Sequence, residues 1–266
     1  MPFVDLLETL RRDLSAEREA LDSVLAPLSL DAWATPTPAE GWTIKDTVAH
    51  LHRTDQAALI AVDDPERFRR DFDAISEAVF HPTYARDVPP LLAAWRETAA
   101  EVTEKVSAVP RGEKIVWLGL PLSPMWFLTA RLMETWAHTQ DIADALGVSR
   151  QPTGRLRHVA HIGVGTRAFS YAIRGKTQPP GPVRVELTAP DGTVWTWGPE
   201  EAEDRVAGPA LDFCLLVTQR RHRDDLALAI EGPGATEWMA IAQAFAGAPG
   251  PGRPAGPDTY ARPLAR

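Results

Sequence analysis

Apolar residues recur at helical spacing through the first half of the chain. Phe3, Leu6, Leu7, Leu10, Leu14 and Leu21 stand three, four and seven residues apart, the period of a helix buried along one side. Asp5, Glu8, Arg11, Arg12 and Asp13 lie between them. The segment from Met1 past Glu17 is therefore an amphipathic helix, without the basic-then-apolar order of a signal peptide. Ser29 to Glu40 has no periodicity and contains Pro36 and Pro38, so it is a loop. Thr43 and Asp46 then have the spacing of a capping box, in which each side chain satisfies a free backbone N–H. A second helix starts there with Ile44, Val48, Leu51, Ala58, Leu59 and Val62 on its buried side, and Asp63-Asp64-Pro65 ends it. Val88 to Val106 repeats the pattern with Leu91, Leu92, Trp95, Ala99 and Val102. Pro110 to Pro121 is a connection with short extended pieces. Ser123-Pro124 places an N-cap and a first-turn proline ahead of a fourth helix, which runs to Leu146 and stops at Gly147. Four such helices pack naturally as an antiparallel bundle.

After the break at Gln151-Pro152-Thr153-Gly154, Leu156 to Ile173 reads as one more helix. The period then changes. Val183, Val185 and Leu187 alternate with Arg184 and Glu186, a half-buried strand. Pro190-Asp191-Gly192 is a turn, and Val194 to Trp197 completes a hairpin. Pro209 to Arg220 is a leucine-rich helix, Leu226 to Ile230 a strand and Ala235 to Ala246 a helix. The fold class is α+β: a helical first part over residues 1–175, a smaller mixed part over 176–246, and a Pro/Gly-rich tail over 247–266 read as extended or disordered. No internal repeat is visible.

Composition narrows the chemistry. The chain has 266 residues, one Cys, seven His, and 36 acidic against 28 basic residues, a net charge of −8. A single Cys excludes an intramolecular disulfide framework and cysteine-rich zinc sites. A nitrogen/oxygen metal site stays open. The acidic balance argues against a nucleic-acid partner. No apolar run reaches the roughly 18 residues of a membrane span. The expectation is a cytoplasmic protein acting on a small molecule; a homodimer is one assembly left open.

Glu134 and His138 are four apart on the fourth helix and share a face. The helix is apolar around much of its circumference, through Met133, Trp136, Ala137, Ile142 and Ala145, so the pair faces inward and needs a partner. A metal ion is a common one in a bundle core; a solvated i,i+4 pair is the plain alternative. A third ligand must come from another element. The second helix offers His50 and His52, which are turned about 200° from one another and cannot both enter one site.

These segments resemble a known family. Gly41-Trp42-Thr43-Ile44-Lys45-Asp46-Thr47-Val48-Ala49-His50-Leu51 is similar to the W-T/S-x-x-D-x-x-A-H-L signature of DinB-like metalloproteins. More narrowly, it resembles that of the mycothiol-dependent maleylpyruvate isomerase family. Met133 to Ile142 matches the second signature, E-x-x-x-H-x-x-D. The resemblance implies a DinB-like four-helix bundle followed by a smaller α/β domain, and a divalent metal held by His50, Glu134 and His138. Zinc is the usual ion; this ligand set also suits nickel or iron. His52 is left at the surface or in a supporting position. Asp141, one turn beyond His138, can accept from its free ring N–H or serve as a solvated or capping Asp. Three protein ligands leave a fourth position open, the catalytic pattern of zinc. In the family that position takes the thiol of mycothiol, so the scarcity of Cys is no obstacle.

The family also binds carboxylates with an Arg after a leucine-rich helix ending in Trp-Gly-Arg. Leu215-Leu216-Val217-Thr218-Gln219-Arg220 resembles that helix with Thr218-Gln219 in place of Trp-Gly. Arg220 is the candidate, with Arg221 and Arg223 as competitors and a solvated basic helix end as the plain reading. His81 precedes Pro82 in a loop. His158 and His161 lack a carboxylate at ligand spacing, and His222 sits among arginines. Cys214 is in an apolar stretch and reads as a buried thiol. Gly163-Val164-Gly165 reads as close helix packing. No P-loop, G-x-S-x-G or G-x-G-x-x-G is present. The leading expectation is a metal- and mycothiol-dependent cis–trans isomerase or S-transferase on a small electrophile. A metal-dependent hydrolase and a non-catalytic metal- or ligand-binding module are the alternatives.

Overall fold

The computed structural model describes residues 3–81 and 87–256. These form two compact units, 1–146 and 147–266; the expected residues Pro82 and 257–266 lie outside the described ones. None of the described helices is long and apolar enough to cross a membrane.

The first unit is built on four long helices, α1 (Phe3–Leu25), α2 (Ile44–Asp63), α5 (Val88–Ala108) and α6 (Pro124–Leu146). Its most extensive helix pairs are α2 with α5 and α1 with α6. Leu10, Leu14 and Leu21 are buried as their spacing requires, whereas Leu6 is 41% exposed and lies off the stripe. The start of α2 is the predicted capping box. Asp46 N–H donates to Thr43 Oγ1 at 3.2 Å and Thr43 N–H donates to Asp46 Oδ2 at 2.9 Å. Trp33 fills the core from a short 3-10 turn in the loop before it.

Two short helices were not expected, α3 (Pro65–Arg70) and α4 (Phe72–Phe80). Asp63-Asp64-Pro65 does end α2, but Asp64 also caps the next helix through Arg67 N–H at 2.9 Å, and Pro65 occupies its first turn. The same residues that stop one helix start another. The expected extended pieces after Pro110 are a hairpin of β1 (Ile115–Trp117) and β2 (Leu120–Leu122), turning through Leu118 and Gly119 at positive φ. Trp117 is clamped between Phe68 of α3 and Phe127 of α6.

The core of the four helices contains a charged layer. Asp55 of α2 is 1% exposed and accepts from Arg131 Nε of α6 at 3.0 Å. Arg18 of α1 stands 3.6 Å from the same carboxylate and also donates to Ala99 O and Thr103 Oγ1 of α5. One acid thus ties together all four long helices. Burial lowers the Arg18 pKa to about 10; Asp55 offsets part of that shift and Arg131 adds to it.

The second unit begins after Gly147, which ends α6 at φ +65°. The compact units divide after Leu146 rather than at the expected 175, and the helices that follow α6 pack with later helices of the second unit. The single helix expected over Leu156 to Ile173 is two, α7 (Leu156–Gly165) and α8 (Arg167–Ala172). The break falls at Thr166 (φ −93°, ψ +11°), whose hydroxyl donates to Ile162 O and Gly163 O. Gly163 is the predicted close approach: a Cβ there would lie 2.7 Å from Val217 of α9 (Ala210–Val217). The sheet has the order β4-β3-β5-β6, from β3 (Val183–Thr188), β4 (Val194–Trp197), β5 (Asp204–Pro209) and β6 (Ala229–Glu231). β5 was not expected. It lies parallel to β3, with both outer pairings antiparallel. The chain passes the start of β3 at Gly198, where a Cβ would sit 2.2 Å from Val183 O.

Helix α9 stops three residues earlier than expected, since Gln219 takes φ +58° and the Arg220 N–H donates to Leu215 O at 2.8 Å. Helix α10 (Pro233–Ile241) is also shorter than its expected run to Ala246. Gln243 N–H donates to Ser170 Oγ and Ala244 N–H to Val217 O, so that backbone serves other elements. The described start of the tail has no regular structure but is tied down, with Arg174 bonded to Gly250 O and Gly256 N–H to Asp225.

Removing one charge from the buried layer strands the others. Asp55→Ala is expected to lower the unfolding free energy by about 3–5 kcal/mol. The exposed neighbour Gln56→Ala should leave it within about 0.5 kcal/mol. Urea denaturation of both variants checks this, and a loss under 1 kcal/mol for Asp55→Ala would refute the role of the layer.

Candidate metal centre

His50, Glu134 and His138 meet in the first unit, with one ligand atom of each within 4.8 Å of the others. Glu134 and His138 stand a turn apart on α6, and His50 comes from α2. His138 Nε2 lies 3.4 Å from Glu134 Oε2, and His50 Nε2 lies 3.9 Å from the same oxygen. A tetrahedral zinc ion with bonds of about 2.0–2.1 Å holds its ligand atoms about 3.3–3.4 Å apart. The two separations from Glu134 are therefore near the required spacing.

The far side of each ring decides which nitrogen is free. His50 Nδ1 is 2.7 Å from Val79 O near the end of α4, and this carbonyl makes Nδ1 the protonated nitrogen. His138 Nδ1 is 3.1 Å from Asp141 Oδ2, which is 1% exposed. Both Nε2 lone pairs are left facing Glu134. This is the arrangement that orients imidazoles for a metal. Asp141 is buried and faces His138. Val79 carries no side-chain signal for this task, and its helix was missed with it.

The electrostatics favour the ligating forms. Burial pushes the His50 pKa below its usual 6.5, with His138 acting in the same direction and Glu134 opposing. Burial acts to raise the Glu134 pKa, but His138 and His50, when they carry a second proton on Nε2, donate to it and hold the carboxyl well below the usual range. The two imidazole rings meet edge to face at 4.8 Å, and the Trp42 indole touches both. Glu134 is the most exposed of the three, at 19% of its side chain.

The remaining candidates fall elsewhere. His52 is 2% exposed, so its expected surface position is corrected: its face of α2 is buried too. Arg220 belongs to the second unit, where its guanidinium donates to Thr218 O and lies over the Phe245 ring. His161 accepts from Trp197 Nε1 in the second unit. Cys214 is fully buried and donates to Leu156 O at 3.5 Å, and burial pushes its pKa well above 9.0. Among the described residues, no second group of His, Cys, Asp and Glu gathers at ligand spacing.

Asp141→Asn is expected to weaken zinc binding about 10–100-fold, measured by competition with a chelator. A pH dependence follows for the metal-free protein. A depressed His50 pKa means the unfolded chain binds the proton more readily. Its contribution is complete above pH 6.5 and fades as pH falls toward the lowered folded value. His50→Gln should flatten the stability profile just below pH 6.5; denaturation curves in that window that keep the wild-type slope would refute this.

A profile of the mycothiol maleylpyruvate isomerase N-terminal domain matches residues 14–143. A profile described as wyosine base formation matches residues 179–229. Two relatives from Mycobacterium tuberculosis, the uncharacterized proteins Rv0036c and MT0041, are each 47% identical over 251 residues, covering 91% of this chain and 96% of theirs. Crystal structures of mycothiol-dependent maleylpyruvate isomerase share the fold at 17% identity, one of a histidine-to-alanine mutant (TM-score 0.58) and one without that label (TM-score 0.53). Each covers 88% of this chain and 96% of that one. With a candidate metal-ligand triad set in the matched bundle, the chain belongs to the mycothiol-dependent maleylpyruvate isomerase-like family.

Proposed function

We propose that the protein is a metal- and mycothiol-dependent enzyme, a cis–trans isomerase or S-transferase acting on a small electrophile such as an unsaturated acid. The observation that carries this reading is the convergence of two Nε2 lone pairs and one carboxylate oxygen. Both far ring nitrogens are already engaged by Val79 O and Asp141. Such a set of three supports an open coordination position, the arrangement of catalytic rather than structural zinc.

When bound there, a divalent ion such as zinc or nickel lowers the pKa of a coordinated thiol, so that thiolate is available at neutral pH. The chain's residues do the rest. His50, Glu134 and His138 bind the ion. Val79 O and the Asp141 carboxylate keep the ring protons on Nδ1. The buried α2 and α6 residues around the ligands, Ala49, Leu51, Met133 and Ala137, exclude water from their flanks. Cys214 supplies no thiol, being buried with a raised pKa, so the sulfur must arrive on a cosubstrate. The reaction class is reversible thiol addition to an activated double bond, permitting rotation, or displacement of a leaving group by the thiol.

Zinc-loaded protein mixed with mycothiol and a cis α,β-unsaturated acid is expected to convert it to the trans form or consume the thiol. Glu134→Ala should reduce this to the uncatalysed rate. Chromatography of the acid and a free-thiol assay measure both outcomes. Hydrolysis without thiol would move the assignment to a metal-dependent hydrolase. Tight metal binding without any turnover would leave a binding module.

A further inference from the structure

Trp42 stands beside the ligands but is not one of them. Its ring stacks on His138 at a centroid distance of 5.9 Å and 22° between planes. The same ring meets His50 at 4.9 Å and 45°. A single rigid side chain thus touches both imidazoles, which come from different helices.

Its backbone is fixed on each side. Gly41 reverses the chain at φ +80°, a conformation that favours glycine. Trp42 N–H donates to Ala39 O at 3.0 Å, and Trp42 O accepts from both Thr37 N–H and the Thr37 hydroxyl. The next residue is Thr43, the cap of α2. The indole is therefore anchored by a turn and a helix cap, not by the metal ligands it touches.

Hydrogen bonds at Nδ1 fix where each ring points but leave rotation about that bond. An aromatic surface stacked on His138 and packed at a tilt against His50 limits this freedom, since turning either imidazole would lose its contact with the indole or run into it. We propose that Trp42 is a positioning residue of the metal centre: its indole holds the planes of His50 and His138 so that a bound ion keeps few ligands and one open position. This rests on the metal-centre reading above.

The test compares W42L, which keeps apolar bulk without a ring, with W42F, which keeps a ring. Zinc affinity is read by chelator competition and coordination number by the visible spectrum of the cobalt-loaded protein. Four-coordinate cobalt absorbs strongly and higher-coordinate cobalt weakly. W42L is expected to bind zinc about tenfold or more weakly and to lose much of the cobalt absorption, while W42F stays close to wild type. The metal-free unfolding temperature controls for folding, and W42M replaces W42L if that control fails. Wild-type affinity and spectrum in W42L overturn the proposal, and so does an equal loss in W42F. Wild-type protein that binds neither ion would instead sink the metal-centre reading itself.

Discussion

The relative register of α2 and α6 decides whether this protein has a metal centre, and the buried Asp55–Arg131 pair holds that register. His50 lies level with Glu134 and His138, and Asp55 lies level with Arg131. Rising numbers on α2 thus meet falling numbers on α6, so the helices run antiparallel. A slip of one residue would shift a helix by 1.5 Å and turn its side chains by about 100°. That would carry His50 Nε2 away from Glu134 and leave the Asp55 charge buried without its partner. The charged layer need not be net stabilising relative to an apolar one. Its effect is to make the wrong register expensive, because an uncompensated buried charge costs several kcal/mol.

Within that frame, the site is prepared for a cation. Burial disfavours protonated His50, so the ring is neutral where a ligand must be. In the metal-free protein, an imidazole that carries a second proton on Nε2 holds Glu134 ionised despite its burial; a cation would take the place of that proton. Two polar groups outside the triad finish the arrangement, and they are of different kinds. Asp141 is a charged side chain on the same helix as the ring it serves. Val79 offers only a backbone carbonyl, at the C-terminal end of α4, where carbonyls lack helical partners and helix dipoles are negative. A short helix that looks like connecting chain therefore orients a ligand.

The parts legible in the sequence are those whose signal is local. The capping box of Thr43 and Asp46, the Ser123-Pro124 start and the Gly147 stop bound the two helices that carry the triad. The Glu134–His138 spacing was readable as a face of α6. Pairing it with His50 needed the family resemblance, because periodicity placed His50 and His52 equally well beside the core. What stayed hidden depends on distant partners. Val79 acts through its backbone and leaves no mark in residue type. Strand β5 holds Gly208 and Pro209 and is made a strand by its neighbours β3 and β6. The helix after Gly147 has the same period as the bundle helices, and only the fit of Gly163 against Val217 shows which unit it joins.

The single Cys takes on a sharper meaning in this setting. A thiolate nucleophile needs exposure and a positive or polar environment to lower its pKa. Cys214 has neither: it lies inside the apolar side of α9, with its S–H turned to Leu156 O and its pKa raised by burial. The chain holds no other Cys. Any thiol chemistry at His50, Glu134 and His138 must then use sulfur brought from outside. An open position beside three fixed ligands is what such a sulfur requires. Composition and geometry thus both support the proposal of a site that binds its nucleophile rather than carrying it.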